Sequence, residues 1–209
     1  MSNVRVKKRN GSIEPMNLEK MHVMVERACS DLAGVSASQV EMQSGIQFYN
    51  GITTDEIQGI LIKSASDLIS LEQPNYQYVA ARLLLFSLRK SLYGKIYEIP
   101  HLKDHIDKCV ENGVYDPAVN DKFTVGEINE LEKYLDHDRD YLFTYAGLRQ
   151  VADKYLVQDR SSGQVYETPQ FMYMLIAMTM FAEYDRGTRL NYIKRCLLYT
   201  SDAADETVR

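Results

Sequence analysis

Four side chains near the amino terminus have the types and spacing to hold an anionic ligand with further polar groups: Lys8 and Arg9 as cations, Glu14 as a carboxylate acceptor and Asn17 as an amide. They fall in the run Val6-Lys7-Lys8-Arg9-Asn10-Gly11-Ser12-Ile13-Glu14-Pro15-Met16-Asn17. Asn10-Gly11 predicts a two-residue hairpin turn of type I′, because that turn needs positive φ at both central residues. Lys8 and Arg9 then end the first strand, and Glu14 lies on the returning one. Asn17 is a good helix N-cap, since its side-chain oxygen can accept from a free N–H of the first turn. Two cations, a carboxylate, an amide and a helix N-terminus so close together suit an anionic ligand that also carries a sugar and a base. The same spacing also describes a solvated hairpin with ordinary surface charges.

Other candidate chemistry is weaker. His101 and His105 are four apart and could share a helix face, but no Glu follows His101 as H-E-x-x-H requires, and two ligands rarely make a zinc site. The expectation is two solvated histidines. Asp136-His137-Asp138-Arg139-Asp140 has the alternating carboxylates that open a calcium loop. Tyr141 then occupies the position that needs glycine, and Gly147 the one that needs a bidentate Glu. A polar helix junction with Arg139 pairing a neighbouring Asp is expected instead. No G-x-S-x-G, G-x-x-x-x-G-K-[ST] or G-x-G-x-x-G occurs, so no catalytic residue is assigned.

The 209 residues suffice for one or two domains, and 45% hydrophobic with 25% charged residues is an ordinary globular composition. A net charge of −5 argues against a general nucleic-acid binder while allowing a local basic pocket. Cys29, Cys109 and Cys196 form no C-x-x-C, and with no secretory signal they fit a reducing cytoplasm. The longest apolar run, Phe171 to Phe181, is too short to span a bilayer and reads as Met-rich core.

The elements that must position the hairpin follow from periodicity. Met21, Met24, Val25, Ala28 and Leu32 form one face of a helix that Gly34 ends. Ser36 with Gln39 reads as a capping box for a second helix through Phe48. Ile52-Thr53 adds a short third strand, and Thr53 with Glu56 caps a third helix. A fourth runs from Pro74 to Gly94. Ile99-Pro100 is a junction. Beyond it, Leu102, Ile106, Cys109 and Val110 mark a helix, and Thr124 with Glu127 caps another. A further helix covers about Tyr141 to Lys154. Tyr155–Gln158 and Gln164–Tyr166 flank a hairpin tip at Arg160-Ser161-Ser162-Gly163. Thr168-Pro169 starts the Met-rich helix, and Thr188 caps a last one, whose face of Leu190, Ile193 and Leu197 is expected to want more protein against it.

The runs Val6-x-Lys8-Arg9-x-Gly11-Ser12-x-Glu14 and Asn17-Leu18-x-Lys20 resemble the ATP-cone, the regulatory nucleotide-binding module of ribonucleotide reductases. Ile46-Gln47-Phe48-Tyr49, Tyr76-Gln77-Tyr78-Val79-Ala80-Ala81-Arg82-Leu83, Asp136–Asp140, Lys154–Gln158 and Thr188-Arg189-Leu190-x-Tyr192-x-Lys194-Arg195 extend the resemblance to the class I large (alpha) subunit, over roughly residues 4 to 195. It implies a mainly α fold: an ATP-cone, a four-helix bundle capped by a small β-sheet, over residues 4–95. A helical domain with one β-hairpin follows over residues 100–196, and a foreign-looking tail over 197–209.

By the same resemblance the cone binds ATP, which activates, or dATP, which inhibits, together with Mg. Lys8 and Arg9 would meet phosphates and ribose, Glu14 the ribose or metal side, and Asn17 the adenine. Lys20 would add charge near the phosphates, and Thr54 and Lys90 would close the triphosphate site. Gln58 departs from the pattern, because many relatives carry His there. The implied partners are the radical-carrying beta subunit and, in the full-length protein, a second alpha subunit, with no nucleic acid and no membrane. The catalytic barrel of the parent oxidoreductase would follow Arg195, so the chain is expected to be an inactive N-terminal fragment, cytoplasmic and without a catalytic cofactor. Two other readings stay open. One is a nucleotide-sensing transcriptional regulator, which would need paired C-x-x-C motifs. The other is a cone that has lost nucleotide binding.

Overall fold

The computed structural model describes residues 4–8, 10–45 and 47–206, with side chains through Tyr199. Arg9, Ile46 and residues 207–209 lie outside the described residues. The chain divides into two units, one of residues up to Ser87 with Phe143–Arg149, the other of Leu88–Leu142 and Gln150 onward.

The first unit opens on a three-stranded sheet of β1 (Arg5–Lys7), β2 (Ile13–Pro15) and β3 (Ile52–Thr53), in the order β2-β1-β3. Burial picks the inward face of β1 and β3. Val6 is buried between exposed Arg5 and Lys7, and lies opposite Glu14 on one side and beside buried Ile52 on the other. The expected two-residue turn is not what closes β1 and β2. Lys8 N–H donates to the Ser12 carbonyl at 2.8 Å, and Gly11 N–H to the Lys8 carbonyl at 2.9 Å. With Lys7 opposite Ile13, that leaves the three-residue loop 9–11, with Gly11 at φ 84° where a β-carbon would be strained. Asn10 Oδ1 accepts from both the Ser12 N–H (3.0 Å) and hydroxyl (2.8 Å), which stiffens the tip.

Helix α1 (Leu18–Cys29) buries Val25 and Ala28, as expected, but it stops before Leu32 and Gly34. Ser30 donates its N–H and its hydroxyl to the Arg27 carbonyl, and Asp31 turns left-handed at φ 60°. The Arg82 guanidinium then takes up the Ser30 carbonyl at 2.6 Å and the Ala28 carbonyl at 3.3 Å. Helix α2 (Ala37–Gly45) is shorter than expected, and its predicted capping box does not form. Tyr76 is the reason: its buried hydroxyl accepts from Ser36 N–H at 3.0 Å and donates to Gln39 Oε1, so Gln39 never reaches back.

The capping box of Thr53 and Glu56 does form, at the start of α3 (Thr54–Asp67). Helix α4 (Tyr76–Tyr93) is apolar round most of its circumference: Tyr76, Val79, Ala80, Leu83, Leu85 and Phe86 are all buried. It ends at Gly94, φ 73°, as expected.

In the second unit, α5 (Leu102–Glu111), a short α6 (Ala118–Lys122) that periodicity missed, and α7 (Val125–Glu132) precede a 3-10 helix, His137–Leu142. The predicted helix over Tyr141 to Lys154 is therefore broken. Only α8 (Tyr145–Lys154) is α-helical, started where Thr144 Oγ1 accepts from Gly147 N–H at 3.2 Å. The hairpin of β4 (Gln158–Asp159) and β5 (Gln164–Val165) forms as expected. The Met-rich α9 (Pro169–Phe181) is core, packing Phe171, Met174 and Met178 with Leu102, Ile106, Ile128 and Leu131.

Helix α10 (Arg186–Glu206) is capped by Asp185, not Thr188. Asp185 Oδ1 accepts from Thr188 N–H at 3.2 Å and from its hydroxyl at 3.0 Å. Its apolar face is not left wanting a partner: Ile193 and Leu197 are buried in this same core, with Leu190 packed against it. Among the described residues no helix is long and apolar enough to cross a membrane.

Candidate functional site: the cone sheet and its flanking helix ends

The sheet register sorts the expected nucleotide ligands into two groups. β1 and β3 run parallel, with Lys7 beside Thr53, so Lys8 and Thr54 leave the sheet at the same end. That end holds the hairpin tip and the N-terminus of α3. β2 runs the other way, with Pro15 opposite Arg5, and Met16 N–H still donates to the Val4 carbonyl at 2.9 Å. Asn17, Lys20 and the start of α1 therefore lie at the far end, about 10 Å away along three strand residues. The single corner expected from sequence spacing is thus two stations, and the helix N-terminus beside Lys8 belongs to α3 rather than α1.

At the tip, the Lys8 ammonium lies 3.6 Å from the Glu14 carboxylate, with the Lys8 side chain half-buried and that of Glu14 exposed. Such a pair adds little to stability and is open to exchange for a stronger anion. Arg9 lies outside the described residues. Thr54 is half-buried as the first residue of α3. The box beside it is fully used: Glu56 Oε2 accepts from Thr53 N–H (2.8 Å) and hydroxyl (2.7 Å), and Tyr49 donates its hydroxyl to Glu56 Oε1 at 2.7 Å. Bonds from the Thr53 main chain and hydroxyl, and from Tyr49, hold this carboxyl below its usual range and so charged. Glu56 therefore faces its cap and not a ligand. At the far end, Asn17 Oδ1 accepts from Lys20 N–H at 2.8 Å, as its N-cap role predicts, and the Lys20 side chain is exposed.

Gln58, the departure from the family pattern, is engaged elsewhere: its amide donates to the Leu83 carbonyl of α4 at 2.9 Å. Lys90 is exposed on the last turn of α4, within the second unit, and Gly94 N–H donates to its carbonyl at 3.0 Å.

Sequence reasoning missed the residue next to it. Arg89 is 2% exposed. It donates through Nη1 to the Tyr141 hydroxyl at 2.9 Å and through Nη2 to the His137 carbonyl at 2.6 Å. Asp140 Oδ2 is farther, at 3.4 Å. Nothing in the sequence separates it from Lys90, the cation beside it at the end of Leu83–Leu88, because its partners lie about fifty residues away.

The other candidates resolve as structure. Arg139 pairs with Asp136 at 3.6 Å, as expected of a polar junction. His101 is exposed and pairs with Glu132 at 2.7 Å. His105 is not solvated. It is buried, stacks on Phe171 at 4.1 Å and lies 3.0 Å from the Tyr115 hydroxyl, so the two histidines share no ligand. Among the described residues no three His, Cys, Asp or Glu side chains gather to hold a metal ion. All three cysteines are free, and burial pushes the Cys29 and Cys109 thiols up to about 11, making them poor nucleophiles.

A small sheet carrying a basic hairpin on a helical bundle is the build of an ATP-cone protein, and residues 4–91 match the family described as the ATP cone domain, which implies a nucleotide effector. Residues 141–204 match the ribonucleotide reductase all-alpha domain. The chain belongs to the ribonucleotide reductase alpha-subunit family. It is 49% identical over 193 residues to ribonucleoside-diphosphate reductase 1 subunit alpha of Escherichia coli (strain K12), covering 92% of this chain and 25% of that protein. Similarity to the alpha subunit of Haemophilus influenzae is 46% over 190 residues (91% and 25%). To that of Enterobacteria phage T4 it is 46% over 164 residues (78% and 22%). The chain thus spans about a quarter of the length of the curated relatives it matches.

Proposed function

We propose that this chain is the effector-sensing part of a class I ribonucleoside-diphosphate reductase alpha subunit, binding ATP or dATP at the cone sheet. Lys8, Arg9 and Thr54 would take the triphosphate, and by the family resemblance Lys90 would close that site. Lys20, on the first turn of α1 with Asn17 at the other end of the sheet, is not placed beside Lys8. Glu14 would meet the ribose or metal side and Asn17 the adenine. What carries this reading is the sheet register: Lys8 and the N-terminus of α3 share one end, and Asn17 lies about 10 Å away, a separation that suits a nucleotide stretched along the sheet. Lysines and an arginine bind phosphate by charge-assisted hydrogen bonds, and a helix N-terminus adds favourable dipole.

A magnesium ion fits here only as the nucleotide's companion. The described residues offer it no carboxylate cluster, and Mg commonly binds through phosphates with one or two carboxylates, a part open to Glu14. ATP and dATP differ by one hydroxyl, and one hydrogen bond is worth about 0.5–1.5 kcal/mol. So small a handle regulates only if coupled to states of different nucleotide affinity, such as assemblies with the beta subunit or a second alpha subunit. The parent enzyme would reduce ribonucleoside diphosphates in the cytoplasm. The cone would occupy residues 4–95 and the helical domain 100–196.

Isothermal titration of the chain with MgATP and MgdATP tests the reading. Micromolar binding that Lys8→Ala weakens at least tenfold is expected, and absence of binding by folded protein overturns it. A cone that has lost its ligand is the second reading. The specific observation in its favour is Gln58, whose amide donates to the Leu83 carbonyl.

A further inference from the structure

We infer that a cavity made wholly of second-unit residues binds a small organic cation, an aromatic body carrying an amine, with the amine against Glu167.

The cavity has a volume of about 490 Å³, a size that suits a small ligand. Its walls come from residues 114–123 with α6, from Tyr155 and Val157 ahead of β4, from Glu167, and from α9. Val119, Phe123, Met172, Leu175 and Met178 make most of that wall apolar. Methionine side chains adapt to the shape of a guest, and their sulfurs make favourable contacts with aromatic rings.

The charges around the cavity do not cancel. Glu167 is 1% exposed. Its Oε2 accepts from the Tyr115 hydroxyl at 2.5 Å, and its Oε1 from Val157 N–H at 2.8 Å. Both donors are neutral, and among the described residues no cation pairs with this carboxyl. His105 meets the same Tyr115 hydroxyl at 3.0 Å, but burial lowers it to about 4, so it brings no positive charge at neutral pH. Asp116 adds a second, exposed carboxylate to the lining. Lys122, the one cation among the described lining residues, is paired with Glu183 at 2.5 Å.

A buried carboxylate held by neutral donors alone is costly to keep charged, and an ammonium brought against it offsets that cost. Each Glu167 oxygen has a second lone pair for such a bond, so neither existing bond has to break. Apolar walls keep water from the pair and strengthen the attraction. A neutral molecule of the same shape gains only the apolar contact, and an anion is repelled. The cavity therefore selects by charge as well as by shape.

The test is a titration of the full chain, labelled at its methionine methyl groups, followed by NMR near neutral pH. The probes are 2-phenylethylamine, its neutral match 2-phenylethanol, and the anion 3-phenylpropionate. The amine is expected to shift the methyl signals of Met172, Met178 and Met180, which line the cavity, and to bind at least fivefold tighter than the alcohol. The anion should not bind. Glu167→Gln, which keeps the shape and removes the charge, should bring the amine down to the affinity of the alcohol. Equal binding of amine and alcohol overturns the proposal, as does an amine preference that survives in folded Glu167→Gln. Shifts confined to the cone methionines, or no binding of any probe, overturn it too. Where Glu167→Gln does not fold, the three probes still decide the charge, and Thr179→Trp decides the place. Thr179 is exposed on the lining, so the indole should fill the cavity from its surface and abolish the amine shifts at Met172 and Met178. Undiminished shifts in that variant put the amine elsewhere and overturn the proposal.

Discussion

Gln58 donates its side-chain amide to the main-chain carbonyl of Leu83 at 2.9 Å, tying α3 to α4 inside the cone. A mid-helix carbonyl has two lone pairs and can accept this bond beside its helical one. The amide is therefore occupied by the scaffold. Gln58→Ala is expected to lower cone stability by about 1 kcal/mol, the net value of one such bond. ATP affinity should stay within twofold, because no ligand contact is lost. Urea denaturation and titration on the same preparation check both halves. A tenfold loss of ATP affinity without loss of stability would make Gln58 a ligand after all.

Asn17 is expected to do two separable things. As N-cap of α1 it satisfies Lys20 N–H at 2.8 Å, and Asn17→Ala should cost about 1 kcal/mol of stability. Asn17→Asp keeps the cap and places a carboxylate at the helix N-terminus, so stability should hold or rise slightly. Its ligand surface changes, however, from an amide that can both donate and accept to an acceptor only. If Asn17 reads the base, Asn17→Asp should weaken ATP binding severalfold while melting as wild type. Undiminished affinity in that variant would remove Asn17 from the ligand set.

The legible parts of the fold were those in which a local rule acts alone. Thr53 with Glu56 and Thr124 with Glu127 formed their capping boxes because the more distant partners of those carboxylates, Tyr49 and Arg189, bond Oε1 and leave Oε2 to the box. Ser36 with Gln39 failed because Tyr76, forty residues away, reaches Ser36 first. The hairpin itself was legible, but its loop length was not. Asn10-Gly11 favours a two-residue turn, while the pairing of Lys7 with Ile13 leaves three residues in the loop. The site residues at the tip could be named from charge and turn chemistry. Their division between two ends of the sheet could not, because it depends on β3 pairing parallel to β1 across more than forty residues. Arg89 was invisible for a similar reason, since its partners in the 3-10 helix are about fifty residues away.

The buried titratable groups of the second unit oppose one another in pH. Burial lowers His105 and His137 from 6.5 to about 4, and raises Asp140 from 3.8 to about 7 despite Arg89. Between about pH 4 and 6.5 the unfolded chain binds protons at both histidines that the folded chain refuses, so stability rises with pH. Over nearly the same window folded Asp140 keeps a proton that the unfolded chain releases, so its contribution falls as pH rises. Glu167, buried in the same unit and likewise raised by burial, acts in the same sense as Asp140. Asp140→Asn removes one of the two opposing carboxyls and should make the change of melting temperature with pH between about 4 and 6.5 more positive, whatever it does to the absolute value. An unchanged slope in that variant would mean that Asp140 is ionised throughout.

Helix α10 is fastened to α7 through one buried carboxylate. Glu127 is 1% exposed. Its Oε2 accepts from Thr124 N–H (2.9 Å) and hydroxyl (2.8 Å), and its Oε1 from Arg189 Nε (2.9 Å) and Nη2 (2.5 Å). Arg189→Met keeps the aliphatic length over the Phe123 ring but removes both bonds to Oε1, leaving Arg186 paired with it at 3.7 Å. Stranding a buried charge costs about 3–5 kcal/mol, and the surviving Thr124 bonds place the expected loss near the lower figure, about 3 kcal/mol. Adding Glu127→Gln removes the stranded charge while keeping an acceptor for the cap, so the double variant should recover part of that loss. Chemical denaturation of the three variants decides it. If the double variant were less stable than Arg189→Met alone, the penalty would lie in lost packing around Arg189 and not in the unpaired carboxylate.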